Sequence, residues 1–114
     1  MEFVLLIQTD ESAYGALDEE TGKALYAEHF AFMDEMKAAG VPMPYSAELD
    51  VATTAKLVRP DGDARLVTDG PYAEAKEQLG GFYVVDVPTI DEAVRWAKRI
   101  PLLPTDTVEV RPAK

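Results

Sequence analysis

Two apolar rhythms alternate along this chain, one of period two and one of period 3.6. Glu2 to Gln8 reads EFVLLIQ, and in an extended segment Phe3, Leu5 and Ile7 face one way while Val4 and Leu6 face the other. Both sets are apolar, so this strand needs cover on both faces. From Asp18 to Ala39 the spacing becomes helical. Leu25, His29, Phe32 and Met36 recur at i, i+4, i+7 and i+11, with Tyr26 and Met33 beside them. Asp18 has the side chain of an N-cap, and Gly40 followed by Pro42 is a stop. Gly22 weakens the first turn by about 1 kcal/mol relative to alanine, so the firm helix starts at Lys23.

The pattern is weak from Val41 to Thr54, with a short strand within Tyr45 to Val51. Ala55–Arg59 and Ala64–Thr68 flank Pro60-Asp61-Gly62-Asp63, whose turn chemistry predicts a hairpin. Asp69 to Gln78 opens with turn residues and continues with helix formers, which predicts a tight turn and two turns of helix. In the strand Gly80 to Val87, Phe82 and Val84 face one side and Tyr83 and Val85 the other. Thr89 to Ile100 is a helix opened by a Thr89–Glu92 capping box, with Ile90, Ala93, Val94 and Ala97 inward and Pro101 and Pro104 beyond its end. Thr107 to Arg111 alternates as a last strand. The predicted order is β-α-β-β-β-α-β with a short helical insert, an α+β chain whose two main helices cover one face of the sheet. The strands at Phe3 and Phe82 remain apolar on their second face, which either the loops 41–54 and 69–78 of the same chain or a second copy related by a two-fold axis would cover, and a homodimer is the expectation.

Length and charge narrow the picture. The 114 residues fit one domain spanning 1–114, and the net charge is −10. Such a charge repels nucleic-acid phosphates and anionic lipid, so neither nucleic acid nor membrane is an expected partner. No apolar run reaches the ~20 residues of a membrane span. The absence of cysteine rules out disulfides and thiolate chemistry and makes the cytoplasm the default location.

Few residues can carry chemistry. His29 is the only histidine and sits inside the apolar stripe. There it either bonds a backbone carbonyl as a core residue or serves as a general acid or base. Asp69-Gly70-Pro71-Tyr72 is a dense local signal. It serves either as a structural turn or as a mount that fixes the Asp69 carboxylate beside a pocket. Gly80-Gly81 marks a bulge or a close backbone approach. No dinucleotide, phosphate-loop or nucleophile-elbow motif is present, and one histidine without cysteine makes a tightly held zinc or copper improbable, so no cofactor and no metal are expected.

The run VTDGPYAEAKEQLGGFYVVDV, Val67 to Val87, resembles the signature of the YCII-related family, specifically its DGPF branch. Asp69, Gly70 and Pro71 match, Tyr72 stands for the phenylalanine, and Glu74, Lys76, Glu77, Gly80, Gly81, Phe82 and Tyr83 also fit. Outside the run, His29, Gly40, Asp91-Glu92-Ala93, Trp96-Ala97 and Arg111-Pro112 agree in outline. The resemblance implies a ferredoxin-like fold paired as a dimeric α/β barrel. It also implies a small-molecule pocket with His29 as general acid or base, in a lyase- or isomerase-type reaction without cofactor. The wider family's aspartate stands in an Asp-Pro pair after the second helix, where this chain has Arg99-Ile100-Pro101. Asp69 is the substitute, with Gly70, Pro71, Tyr72, Phe82 and Tyr83 around the substrate. The alternative implied is a non-catalytic ligand-binding or regulatory module associated with an extracytoplasmic-function sigma factor.

Overall fold

Alternation along two neighbouring strands builds the core. In the computed structural model, which describes Met1–Lys114, β1 (Glu2–Asp10) pairs antiparallel with β5 (Glu77–Asp86) on one side and with β6 (Thr107–Pro112) on the other. The edge strand β2 (Tyr45–Glu48) pairs with β5, giving the order β2-β5-β1-β6. Phe3, Leu5, Tyr83 and Val85 lie on one face of the sheet and are buried, Leu5 and Val85 completely. Two helices supply the opposite layer. α2 (Glu19–Ala38) contributes Phe32 and Met36, and α3 (Ile90–Ala97) contributes Ala93 and Ala97. Ile90, expected inward on α3, is instead exposed, and Ile100 beyond the helix is buried. Without the short helix before α2 and the hairpin between β2 and β5, both described below, the order β1-α2-β2-β5-α3-β6 is compatible with a ferredoxin-like fold. The sheet is open and does not close into a barrel.

Local chemistry sets the helix ends. The Asp18 carboxylate accepts from Thr21 N at 2.7 Å, and α2 ends before Gly40, whose φ of 73° is the left-handed conformation glycine favours. Thr89 Oγ1 accepts from Glu92 N at 3.3 Å, the forward half of the expected capping box. A five-residue helix, α1 (Glu11–Gly15), has no counterpart in the sequence reading. Asp10 caps it, accepting from Ser12 N at 3.0 Å and Ser12 Oγ at 2.6 Å.

The hairpin β3 (Lys56–Asp61) and β4 (Ala64–Asp69) forms as expected and pairs only with itself, as a separate two-stranded sheet. The helix expected near Gln78 is absent. β5 begins at Glu77, three residues earlier than its apolar run, because Glu77, Gln78 and Leu79 extend the ladder to Asp10, Thr9 and Gln8. Only a short loop remains after Pro71, and Gln78 Nε2 ties it down by donating to the carbonyls of Ala73 and Ala75. The second sheet face, with Val4, Leu6, Phe82 and Val84, is half-buried, and Tyr45 on it is 62% exposed. The molecule measures 49 × 38 × 18 Å, a slab with helices on one side only.

Candidate functional site

The stripe on α2 closes on the sheet over only half its length. Phe32 packs edge-on against Tyr83, with ring centroids 5.3 Å apart. Two residues before Tyr83, the same face of β5 carries Gly81, which offers no side chain to the helix. A Cβ at Gly81 would lie 2.9 Å from the Ala47 carbonyl oxygen, and one at Gly80 2.7 Å from the Thr9 side chain. Gly80 also falls where the β1–β5 register slips, so it is the extra residue of a bulge. A cleft of about 600 Å³ opens over these glycines, between the sheet and the N-terminal half of α2. That size is ordinary for a small-molecule site.

His29 lines this cleft with Phe82 and Tyr83. Its Nδ1 is 2.6 Å from the Tyr83 hydroxyl, and the two rings stack with centroids 6.1 Å apart. The ring is therefore satisfied by a phenol rather than by the backbone. Nε2 has no protein partner and is not sealed from solvent. Burial pulls the His29 pKa below its usual 6.5, against the opposing charges of Glu48, Glu28 and Asp106. The ring is neutral at neutral pH. Burial pushes the Tyr83 phenol up to about 12.

Other groups join from distant parts of the chain. Glu48 on β2 shares the face of Tyr83, and both its carboxylate oxygens are 2.7 Å from the Tyr26 hydroxyl, which raises the Tyr26 pKa. Tyr14 on α1 lines the cleft and donates to Asp106 Oδ2, which also accepts from Leu103 N at 2.9 Å. Desolvation first, and then this carboxylate, raise the Tyr14 pKa. Asp106 Oδ1 is buried without a partner. The sequence offers Tyr14 as one of five phenol donors, but not its link to Asp106, and it gives no sign of Glu48 or Asp106. Tyr14 and Asp106 are 92 residues apart, and no local pattern links them. Asp10-x-Ser12 was the one available cue, as a cap that would have placed Tyr14 on a helix.

The hairpin residues lie elsewhere. Asp69 is exposed, pairs with Lys56 and does not line the cleft, nor do Gly70, Pro71 or Tyr72. Tyr72 is 81% exposed. Gly70 has a different role. Its N–H donates to the Ala55 carbonyl at 2.7 Å, and a Cβ there would lie 2.7 Å from Ala55 Cβ and 3.2 Å from Ala52 O. Ala52 in turn donates its N–H to Glu11 Oε2 at 2.9 Å, and Glu11 and Val51 line the cleft. The Asp-Gly-Pro turn thus braces the single 3₁₀ turn, Ala52–Thr54, that follows the cleft wall.

A family model of the YCII-related domain matches residues 1–114, the full length described above. The chain belongs to the YCII-related family. An uncharacterised protein of Rhizobium meliloti (strain 1021) is 34% identical to this YCII-related chain over 114 residues, covering 98% of this chain and 91% of that protein. No three His, Asp or Glu side chains of the YCII-related domain converge as a metal site, and no helix is long and apolar enough to cross a membrane.

Proposed function

We propose that the cleft binds a small molecule and that His29 moves a proton on it without a cofactor, in a lyase- or isomerase-type reaction. The observation that carries this reading is the His29–Tyr83 pair, a neutral imidazole bonded to a phenol and open to a cleft at its other nitrogen. The phenol can donate to Nδ1 or accept from it. Nε2 can take a proton from the ligand in the tautomer whose Nδ1–H donates to the Tyr83 oxygen, and that bond is kept as the imidazolium forms. The nearby negative charges then favour the imidazolium until it returns the proton to the product. Asp69 has no part in this reading; Glu48, Glu28 and Asp106 supply the charge. The test is an NMR titration of His29 with a screen of small molecules. The ring should titrate below 6.5 and respond to ligand, and His29→Asn should abolish turnover of any substrate found. A ring that neither titrates nor responds to any ligand sinks the reading.

A homodimer belongs to the same proposal. The half-buried second face of the sheet, with Tyr45 and Phe82 rings 5.9 Å apart on β2 and β5, is the surface a second copy would cover. Pairing there would make the dimeric α/β barrel that the DGPF branch implies. One observation favours a second reading, that of a regulatory module. The hairpin exposes the cross-strand pair Val58 and Val67 on one of its faces, and Leu66 on the other, apolar side chains outside the sheet's second face on which a sigma factor could dock. Both readings put the protein in the cytoplasm. Loss of sigma-factor co-purification on Val67→Asp, with the His29 response unchanged, would favour the module.

A further inference from the structure

The wall of the cleft bears on which molecules enter it. Twenty-three residues line it, 12 of them hydrophobic, and none is lysine or arginine. Four are carboxylates, Glu11, Asp18, Glu48 and Asp50. Five of the 11 lysines and arginines pair with carboxylates outside the cleft lining, Lys23 with Glu19, Lys56 with Asp69, Lys76 with Asp10, Arg99 with Glu35 and Arg111 with Glu109, and the other six are also outside it. His29, the one other group able to carry positive charge there, is held neutral. A carboxylate or phosphate entering this cleft meets no counter-charge, in a chain of net charge −10.

A cation meets a ready acceptor. Tyr26 has one proton to give, and both oxygens of Glu48 stand 2.7 Å from it, so the carboxylate keeps acceptor capacity on an exposed strand edge. Glu48 pairs with Gly81 in the β2–β5 ladder and Ser46 with Tyr83. The Glu48 row is therefore two strand positions, about 7 Å, from the row of the proton-moving pair. Leu25, Phe30 and Met33 of α2 form the apolar wall. We propose that the cleft takes an apolar molecule bearing a protonated amine, with the amine at Glu48 and the apolar body along α2, and that it excludes carboxylates and phosphates. This rests on reading the cleft as a small-molecule site.

Three probes of one shape test it on the intact chain: phenethylammonium, phenethyl alcohol and hydrocinnamate, titrated at neutral pH while the His29 and Tyr83 resonances are followed. Phenethylammonium should bind about tenfold tighter than the alcohol, a modest factor for a partly desolvated charge pair. Its advantage should shrink with added salt. Hydrocinnamate should bind weakest. Glu48→Gln, at an exposed site, should bring phenethylammonium to the level of the alcohol, and Asp50→Asn should act in the same direction. Hydrocinnamate binding as tightly as phenethylammonium, or an ammonium indifferent to both variants, overturns the charge preference and leaves the cleft standing as a binding site. If none of the three probes moves either resonance, the charge preference and the small-molecule reading fall together.

Discussion

The cleft and the hairpin arm differ in how much of each is buried and in where their sequence signals lie. Around the cleft, two glycines leave a space that aromatic and aliphatic side chains enclose, and a lone histidine is held by a phenol from another strand. The arm holds the most recognisable stretch of the chain, Asp69-Gly70-Pro71, yet its strands are exposed and pair only with each other. Recognisability and chemical capacity are separate properties. A motif can be distinctive because a tight turn tolerates few residues, whereas a reactive group draws its properties from neighbours far away in sequence.

Stability should show the largest difference. Leu5→Ala, at a fully buried position beside the cleft, should cost about 2–5 kcal/mol, and Val67→Ala on the arm should stay within about 0.5 kcal/mol, both read by urea unfolding. Equal losses would break the contrast. Gly70→Ala sharpens it at the one place where the arm bears on the cleft. Its Cβ would sit 2.7 Å from Ala55 Cβ and against two backbone carbonyls, so a cost of about 1–3 kcal/mol is expected, with shifted resonances at Val51 and Glu11. Gly22→Ala has the opposite sign. A Cβ there meets nothing within 4 Å in the first turn of α2, and it should add about 0.5–1 kcal/mol.

The outline of the fold was legible because apolar alternation and helix caps are local. The long α2, the hairpin and the last two strands all follow from neighbouring residues. The loop after Pro71 was not legible, because its helix formers lose to a ladder whose partners, Gln8 to Asp10, lie near the other end of the chain. At the site, His29 stood out as a polar ring in an apolar stripe, and Tyr83 lies beside it in the cleft, while Phe82 borders the cleft with its ring turned to the sheet's other face. Its link to Tyr83, and the carboxylates Glu48 and Asp106, depend on strand register and chain return. Asp69 stood out because its turn is locally distinctive, and that turn lies outside the cleft.

Smaller effects test the chemistry. His29 has a folded pKa below 6.5, so the unfolded chain binds its proton first as pH falls. Its contribution to stability is therefore complete above 6.5 and is lost as pH drops below it toward the folded pKa. His29→Gln should flatten that part of the stability–pH curve. Asp69→Asn should leave it unchanged, since Asp69 pairs with Lys56 on the arm. Tyr83→Phe removes the phenol bonded to Nδ1. It should lower the His29 pKa in an NMR titration, because a phenol oxygen accepting from Nδ1–H favours the imidazolium.

The tip of the arm suggests a use. Asp61-Gly62-Asp63 turns the hairpin with Gly62 at φ 59°, at the far end of a ladder that shares no strand with the main sheet. Exposed tips of this kind accept inserted sequence with little effect on the rest of a fold. A peptide tag or a fluorescent reporter grafted there would ride outside the sheet. The protein could then be immobilised or tracked by the arm while His29, on α2, remains free to meet its ligand.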